Sequence, residues 1–181
     1  MDLEQFLTNQ RESMIQRWTE GVFSLYPMEA QPLLKKKKSP FLNPLAHTLA
    51  SSIVGLYDEL IGDTDPEKLA PHLEAVIKAI SLQGGLPSTS LSFMFVFKRT
   101  LKAALVEAEL FAQLRDEYDQ AIDLIDQIIR ISIDILVKTR EAVYQLKVDE
   151  MERKTHSLIK LVNAQAVEAQ AASEQETDEI T

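Results

Sequence analysis

All five glycines and all seven prolines of this 181-residue chain lie at or before Pro87, so residues 88–181 contain neither. In a helix interior glycine costs ~1 kcal/mol and proline ~3 kcal/mol relative to alanine, so a stretch free of both supports long uninterrupted helices. The second half therefore reads as one or two helical rods. Within it, Ile122 to Val137 carries apolar residues on nearly all sides and runs directly into a charge-dense segment, Lys138 to Lys160. This predicts a buried helix that leaves the bundle and continues into solvent.

Apolar residues make up 45 % of the chain, enough for one well-buried core plus an appendage. Nineteen basic against 28 acidic residues give a net charge of −9, which disfavours a nucleic-acid binder because phosphate contacts require clustered Lys and Arg. No cysteine is present, which removes disulfides, thiolate metal sites and cysteine nucleophiles together. The N-terminus lacks the basic start and apolar run of a secretory signal, and no apolar stretch approaches the ~20 residues that span a bilayer. The expectation is a cytoplasmic protein, with any membrane association peripheral or through a partner.

Leu3, Leu7, Met14, Trp18, Val22 and Tyr26 keep one helical face after an Asp2 cap and end at Pro27, predicting a single first helix. Pro27 to Asn43, with Pro32, Pro40 and the run Lys35 to Lys38, reads as an exposed connection. Asn43-Pro44 and Asp65-Pro66 are helix starts, the side chain capping free N–H groups and the proline having no N–H to waste. Leu45 to Leu60 then runs to Gly62, and Leu69 to Ile80 to a stop at Gly84-Gly85. A further helix begins near Pro87 and Ser88, with its Phe93 to Phe97 run assigned to the core. A bend between Glu109 and Asp119 precedes a final long helix with Ile122, Ile125, Ile129, Ile133 and Leu136 as its core face. No strand alternation competes, so the fold class is all-α: a bundle of about five to six helices with a long C-terminal helix extending from the core.

Beyond Val143 the apolar positions narrow to Tyr144, Val148, Met151, Leu158 and Val162, with Thr155 in the missing slot, a 4,3,4,3,4 spacing. A seam this narrow suits either a coiled coil or a single solvated helix. Asp149 with Arg153 and Glu150 with Lys154 sit four apart in the favourable orientation, worth ~0.2–0.5 kcal/mol each. From Ala164 the chain is Ala-, Gln- and Glu-rich without a basic residue, a composition that cannot repay the entropy of ordering. The expected organisation is a bundle over 1–143, an exit helix over 144–163 and a disordered acidic tail over 164–181.

Chemistry is harder to find. His47, His72 and His156 fall in three different helices without metal-motif spacing, so no metal or cofactor is expected. The hydroxyls of Ser88, Thr89, Ser90 and Ser92 sit where helix capping explains them better than nucleophilic catalysis, and Asp123, Asp126 and Asp134 read as the solvent side of the Ile-rich helix. The Lys35 to Lys38 run falls short of the polybasic clusters that bind membranes. His47 stands out because the helix dipole near Asn43-Pro44 disfavours its protonated form, and Trp18 with the Phe93, Phe95, Phe97 group offers aromatic surface to a small apolar ligand. Trp18, Asn43, His47 and Phe95 are thus the candidates for sensing a signal or ligand. Tyr144, Val148, Met151, Leu158 and Val162 are the candidates for a dimer or partner interface.

Several strings, in order and spacing, carry a family likeness: Trp18 followed by Tyr26-Pro27; Phe41-Leu42-Asn43-Pro44-Leu45-Ala46-His47; Ser90-Leu91-Ser92-Phe93 with Lys98-Arg99; and Arg140 to Glu150, which reads Arg-Glu-Ala-Val-Tyr-Gln-Leu-Lys-Val-Asp-Glu. Together, over about residues 3–153, they resemble the N-terminal domain of RsbRD, the sensor half of proteins related to the RsbT co-antagonists of bacterial stressosomes. The resemblance implies a helical domain that receives a signal and passes it along a C-terminal helix to an output module, commonly a STAS domain. Too few residues follow here for such a domain, which needs about a hundred more in alternating strand and helix, so the expected output is to a separate protein, or this copy is put to another use. The function this implies is a non-enzymatic cytoplasmic sensor that dimerises and signals in trans through its C-terminal helix. The alternative is a structural adaptor docking on a multiprotein or membrane-associated redox complex. A haem carrier of globin size would have only His47 or His72 as ligands.

Overall fold

The computed structural model describes residues 1–35, 43–62, 64–81 and 86–178, with residues 166–178 described as helical backbone only. The Lys36 to Lys38 part of the predicted exposed connection, Phe41 and Leu42, the Gly84-Gly85 stop and the end of the acidic tail lie outside the described residues. Among these, the structure contains eight helices and no strand: α1 (Leu3–Asn9), α2 (Arg11–Phe23), α3 (Gln31–Lys35), α4 (Pro44–Ile61), α5 (Pro66–Ser81), α6 (Pro87–Ser90), α7 (Ser92–Glu107) and α8 (Arg115–Asp178). The chain divides into two compact units, Met1–Thr139 and Arg140–Thr181. The fold is all-α with a long C-terminal helix, and α3 and α6 are short additions to the predicted set.

The helix starts follow local chemistry. Asp2 Oδ1 accepts from the Gln5 N–H at 2.8 Å to open α1. Asn43 Oδ1 accepts from the Ala46 N–H at 3.1 Å, with Pro44 at the first position of α4, and Asp65 Oδ1 accepts from the Glu67 N–H at 3.0 Å before α5. These caps satisfy backbone donors that have no partner within the helix. The predicted single first helix is two: the chain turns at Gln10 (φ −97°, ψ 11°), which closes α1 and opens α2. Leu7 and Met14 are both buried seven residues apart, so the apolar period carries across the break and conceals it.

The predicted bend after α7 is a Schellman turn. The Leu110 N–H donates to the Leu105 carbonyl at 2.9 Å and the Glu109 N–H to the Val106 carbonyl at 3.0 Å. Between them Glu109 sits at φ 59°, a left-handed conformation usually taken by glycine.

The first unit has one core. Trp18 is fully buried (0 %), its indole N–H donating to the Phe93 carbonyl at 2.7 Å. Its ring lies against Phe97 at 4.5 Å between centroids, and Phe97 meets Tyr57 edge-on at 6.1 Å. The Tyr57 hydroxyl donates to the Leu7 carbonyl at 2.9 Å, tying α4 to α1. Two glycines allow close helix approach: a Cβ on Gly21 of α2 would collide with Val96 of α7, and one on Gly55 of α4 with the His72 ring of α5.

Three expectations about side chains are corrected. Phe95 is 51 % exposed and not core, because at ~100° per residue it points opposite the mean direction of buried Phe93, Met94, Val96 and Phe97. The Ile-rich helix is buried on one face only: Ile125, Ile128, Ile129, Ser132 and Leu136 are covered, whereas Ile131, Ile133 and Val137 are roughly half-exposed. Ile133 therefore leaves the predicted core stripe: at ~100° per residue it lies ~40° beyond Ile129, past the edge of the arc that Ile128, Ser132, Ile125, Leu136 and Ile129 bury. The hydroxyls near Pro87 do not cap N–H groups. Ser92 Oγ donates to the Ser88 carbonyl at 2.8 Å, and buried Ser90 donates to the Leu86 carbonyl at 3.4 Å while accepting from Ser81 at 3.1 Å.

Candidate functional site

The predicted sensing residues occupy three separate settings. Trp18 is enclosed in the aromatic core described above. Asn43 is committed twice, capping α4 and donating its side-chain N–H to the Leu33 carbonyl at 2.7 Å, which fixes α3 against the start of α4. His47, one turn on, is exposed, and Phe95 lies on the outer face of α7. Clefts among the described residues lie along 1–9, along 8–16 and beside Val148 to Leu161, and none of these is lined by the four candidates. Of the other histidines, His72 packs on Gly55 and His156 is exposed. No group of three His, Cys, Asp or Glu side chains placed to hold a metal ion occurs among the described residues, and no helix among them is long and apolar enough to cross a membrane.

Polar residues that sequence periodicity does not single out lock the helices of the first unit together. Arg11 at the start of α2 grips Asp58 of α4 through two parallel hydrogen bonds, Nε to Oδ1 at 2.8 Å and Nη2 to Oδ2 at 2.7 Å, and this carboxylate raises the Arg11 pKa. Arg17 of α2 reaches Glu107 of α7 at 2.6 Å, and Lys98 of α7 reaches Asp126 of α8 at 2.8 Å. Asp126 is thus an interhelical partner, while Asp123 and Asp134 face solvent. The Leu3 N–H donates to Glu117 Oε2 at 2.6 Å, so a carboxylate of α8 caps α1 across 114 residues. Exposed pairs of this kind contribute little each, and their main effect is to fix which helix neighbours which.

Two buried tyrosines differ sharply. Burial pushes the Tyr57 hydroxyl well above its ordinary value, with nearby Arg11 pulling the other way, yet the group is satisfied by Leu7. Tyr26 is pushed up to about 12 by burial, and its hydroxyl has no hydrogen-bond partner among the described residues.

In the second unit the predicted interface residues all face solvent, from 46 % exposed at Val148 to 68 % at Met151, with Tyr144, Leu158 and Val162 in between. Leu146, Ile159 and Leu161 are exposed as well. Glu150 and Lys154 form the anticipated ion pair at 2.6 Å. Asp149 and Arg153 do not: the Asp149 carboxylate accepts from Gln145 at 2.8 Å, and Arg153 donates to the Asp149 backbone carbonyl at 3.2 Å.

The chain belongs to the family of the RsbT co-antagonist protein RsbRD N-terminal domain, whose model matches residues 12–151, well over half the chain. This makes it a stressosome-related sensor-type domain. No curated protein and no solved structure matches the chain.

Proposed function

We propose that this protein is a non-enzymatic cytoplasmic sensor or regulatory module that forms a homodimer and signals in trans through α8 beyond Arg140. The observation that carries the reading is the row Tyr144, Val148, Met151, Leu158 and Val162, five apolar side chains at coiled-coil spacing, all uncovered in the single chain. A lone solvated helix gains nothing from such a row, whereas a second helix laid along it removes five large side chains from water. Family membership supports the sensor role. A ligand or partner acts on such a module only through its differential affinity for two packings of the bundle.

The test is affinity capture from native lysate with the full chain and with a version ending at Val143. Partners retained by the full chain and lost by the shorter one, with retention that changes with metabolite or redox state, are the expected result. Identical partners for both versions would remove the role of α8 in output. Capture that is insensitive to any metabolite or redox condition would favour the structural adaptor.

A further inference from the structure

We infer that the homodimer is a parallel, in-register, two-stranded coiled coil over Tyr144 to Val162, oriented by Lys147 of each chain pairing with Glu152 of the other. The inference rests on the dimer reading above and adds strand number, direction and register. The 4,3 spacing fixes the heptad without ambiguity, because the step from a to d is three residues and from d to a is four. Val148, Thr155 and Val162 therefore occupy a, and Tyr144, Met151 and Leu158 occupy d. Every a residue is β-branched and no d residue is. That division is the one that favours two parallel strands, since side chains branched at Cβ fit the a layer and unbranched ones the d layer of a parallel pair.

The flanking positions give an independent indication of direction. Lys147 and Lys154 fall at g, and Gln145 and Glu152 at e. In a parallel pair each g residue faces the e residue five places on in the partner, so Lys147 meets Glu152, and symmetry makes the contact twice. In an antiparallel pair g faces g and e faces e, which sets lysine against lysine and glutamate against glutamate. Lys147 and Glu152 are available for this role: both are exposed, and neither forms an ion pair with another described residue. Lys147 rests only over the Tyr144 ring at 6.0 Å, while Lys154 is held within its own chain by Glu150 at 2.6 Å. One step further, Lys154 at g faces Ile159 at e, where its hydrocarbon stem covers the apolar side chain. Thr155 places a hydroxyl in the central a layer, which lowers affinity and penalises shifted registers that would set it against Val148 or Val162.

The absence of cysteine from the chain permits a clean test in the full 181-residue chain. Val148→Cys and Val162→Cys are made singly, with outward-facing Arg153→Cys as the control, and each is oxidised mildly after light scattering has given its oligomeric state. The expected result is a dimer in which Val148→Cys and Val162→Cys each link to themselves rapidly and Arg153→Cys does not. A dimer in which neither seam variant links alone, but in which Val148→Cys links to Leu158→Cys when those two variants are mixed, would establish an antiparallel pair, where a packs against d, and overturn the inference, leaving the dimer reading intact. Equal linking of the control would overturn it as random collision, and a monomer would overturn both readings. As a second measurement, Lys147→Glu should weaken dimerisation about tenfold, because two cross-pairs become repulsions. Mixing it with Glu152→Lys should restore affinity in a heterodimer. An unchanged dissociation constant for Lys147→Glu would overturn the assignment.

Discussion

The two buried tyrosines should respond in opposite directions to the same small change. Tyr57→Phe removes a hydroxyl that donates to the Leu7 carbonyl at 2.9 Å in the interior. The net value of such a bond is ~1 kcal/mol, and the stranded carbonyl adds a desolvation cost of ~1–3 kcal/mol, so a loss of about 2 kcal/mol is expected. Tyr26→Phe removes a hydroxyl that is buried with no partner among the described residues, and burying an unpaired hydroxyl costs ~1–3 kcal/mol. Allowing for the small void left behind, the substitution should gain about 1 kcal/mol. At ~2–4 °C per kcal/mol for a chain of this size, the melting temperatures should separate by roughly 10 °C. Trp18 is the only tryptophan and is fully buried, so its fluorescence reports urea unfolding of the first unit directly. A Tyr26→Phe variant that loses as much stability as Tyr57→Phe would refute the hydrogen-bond assignment and place a partner on Tyr26.

The same residue predicts an alkaline transition. Unfolded tyrosine ionises near pH 10, whereas folded Tyr26 keeps its proton to about 12. Its contribution is therefore fully present below pH 10 and is lost as pH rises through about 12, a change on the order of 2 kcal/mol; urea midpoints measured across that interval should fall less steeply for Tyr26→Phe than for the parent. Glu109→Gly should stabilise by about 0.5–1 kcal/mol in a thermal melt, since glycine relieves the positive φ at some entropic cost, whereas Glu109→Val should destabilise by more than 1 kcal/mol. Gly21→Ala should destabilise by about 1–3 kcal/mol because its Cβ meets Val96 at the α2–α7 contact, and a neutral result in chemical denaturation would mean that the two helices separate easily.

Much of the helical layout is legible in the chain because its signals are local. Asn43-Pro44, Asp65-Pro66 and Gly62 mark α4 and α5 by backbone chemistry that depends on a few neighbouring residues. The absence of glycine and proline after Pro87 likewise anticipates α7 and α8. What resists reading depends on which face meets a neighbour. The Phe93 to Phe97 run is apolar throughout, yet only a helix-facing arc is buried and Phe95 falls outside it. The bend at Glu109 carries no glycine to announce its left-handed residue. The latches Arg11–Asp58, Lys98–Asp126 and Leu3–Glu117 join residues far apart in sequence, and no spacing rule links them. The exposed apolar row of α8 is legible because heptad spacing is itself local, whereas Trp18, Asn43, His47 and Phe95 rest on separate hints and the structure holds them in separate settings.

On the proposed function, a second copy of the chain covers the exposed seam of α8. Size-exclusion chromatography with light scattering on the full chain at tens of micromolar measures this most directly. The expected particle has twice the 20.4 kDa chain mass, reduced to the single mass by Met151→Glu with Leu158→Glu while the circular dichroism of the bundle and its Trp18 fluorescence stay unchanged. A parent chain that runs at 20.4 kDa, or a dimer indifferent to both substitutions, would contradict it.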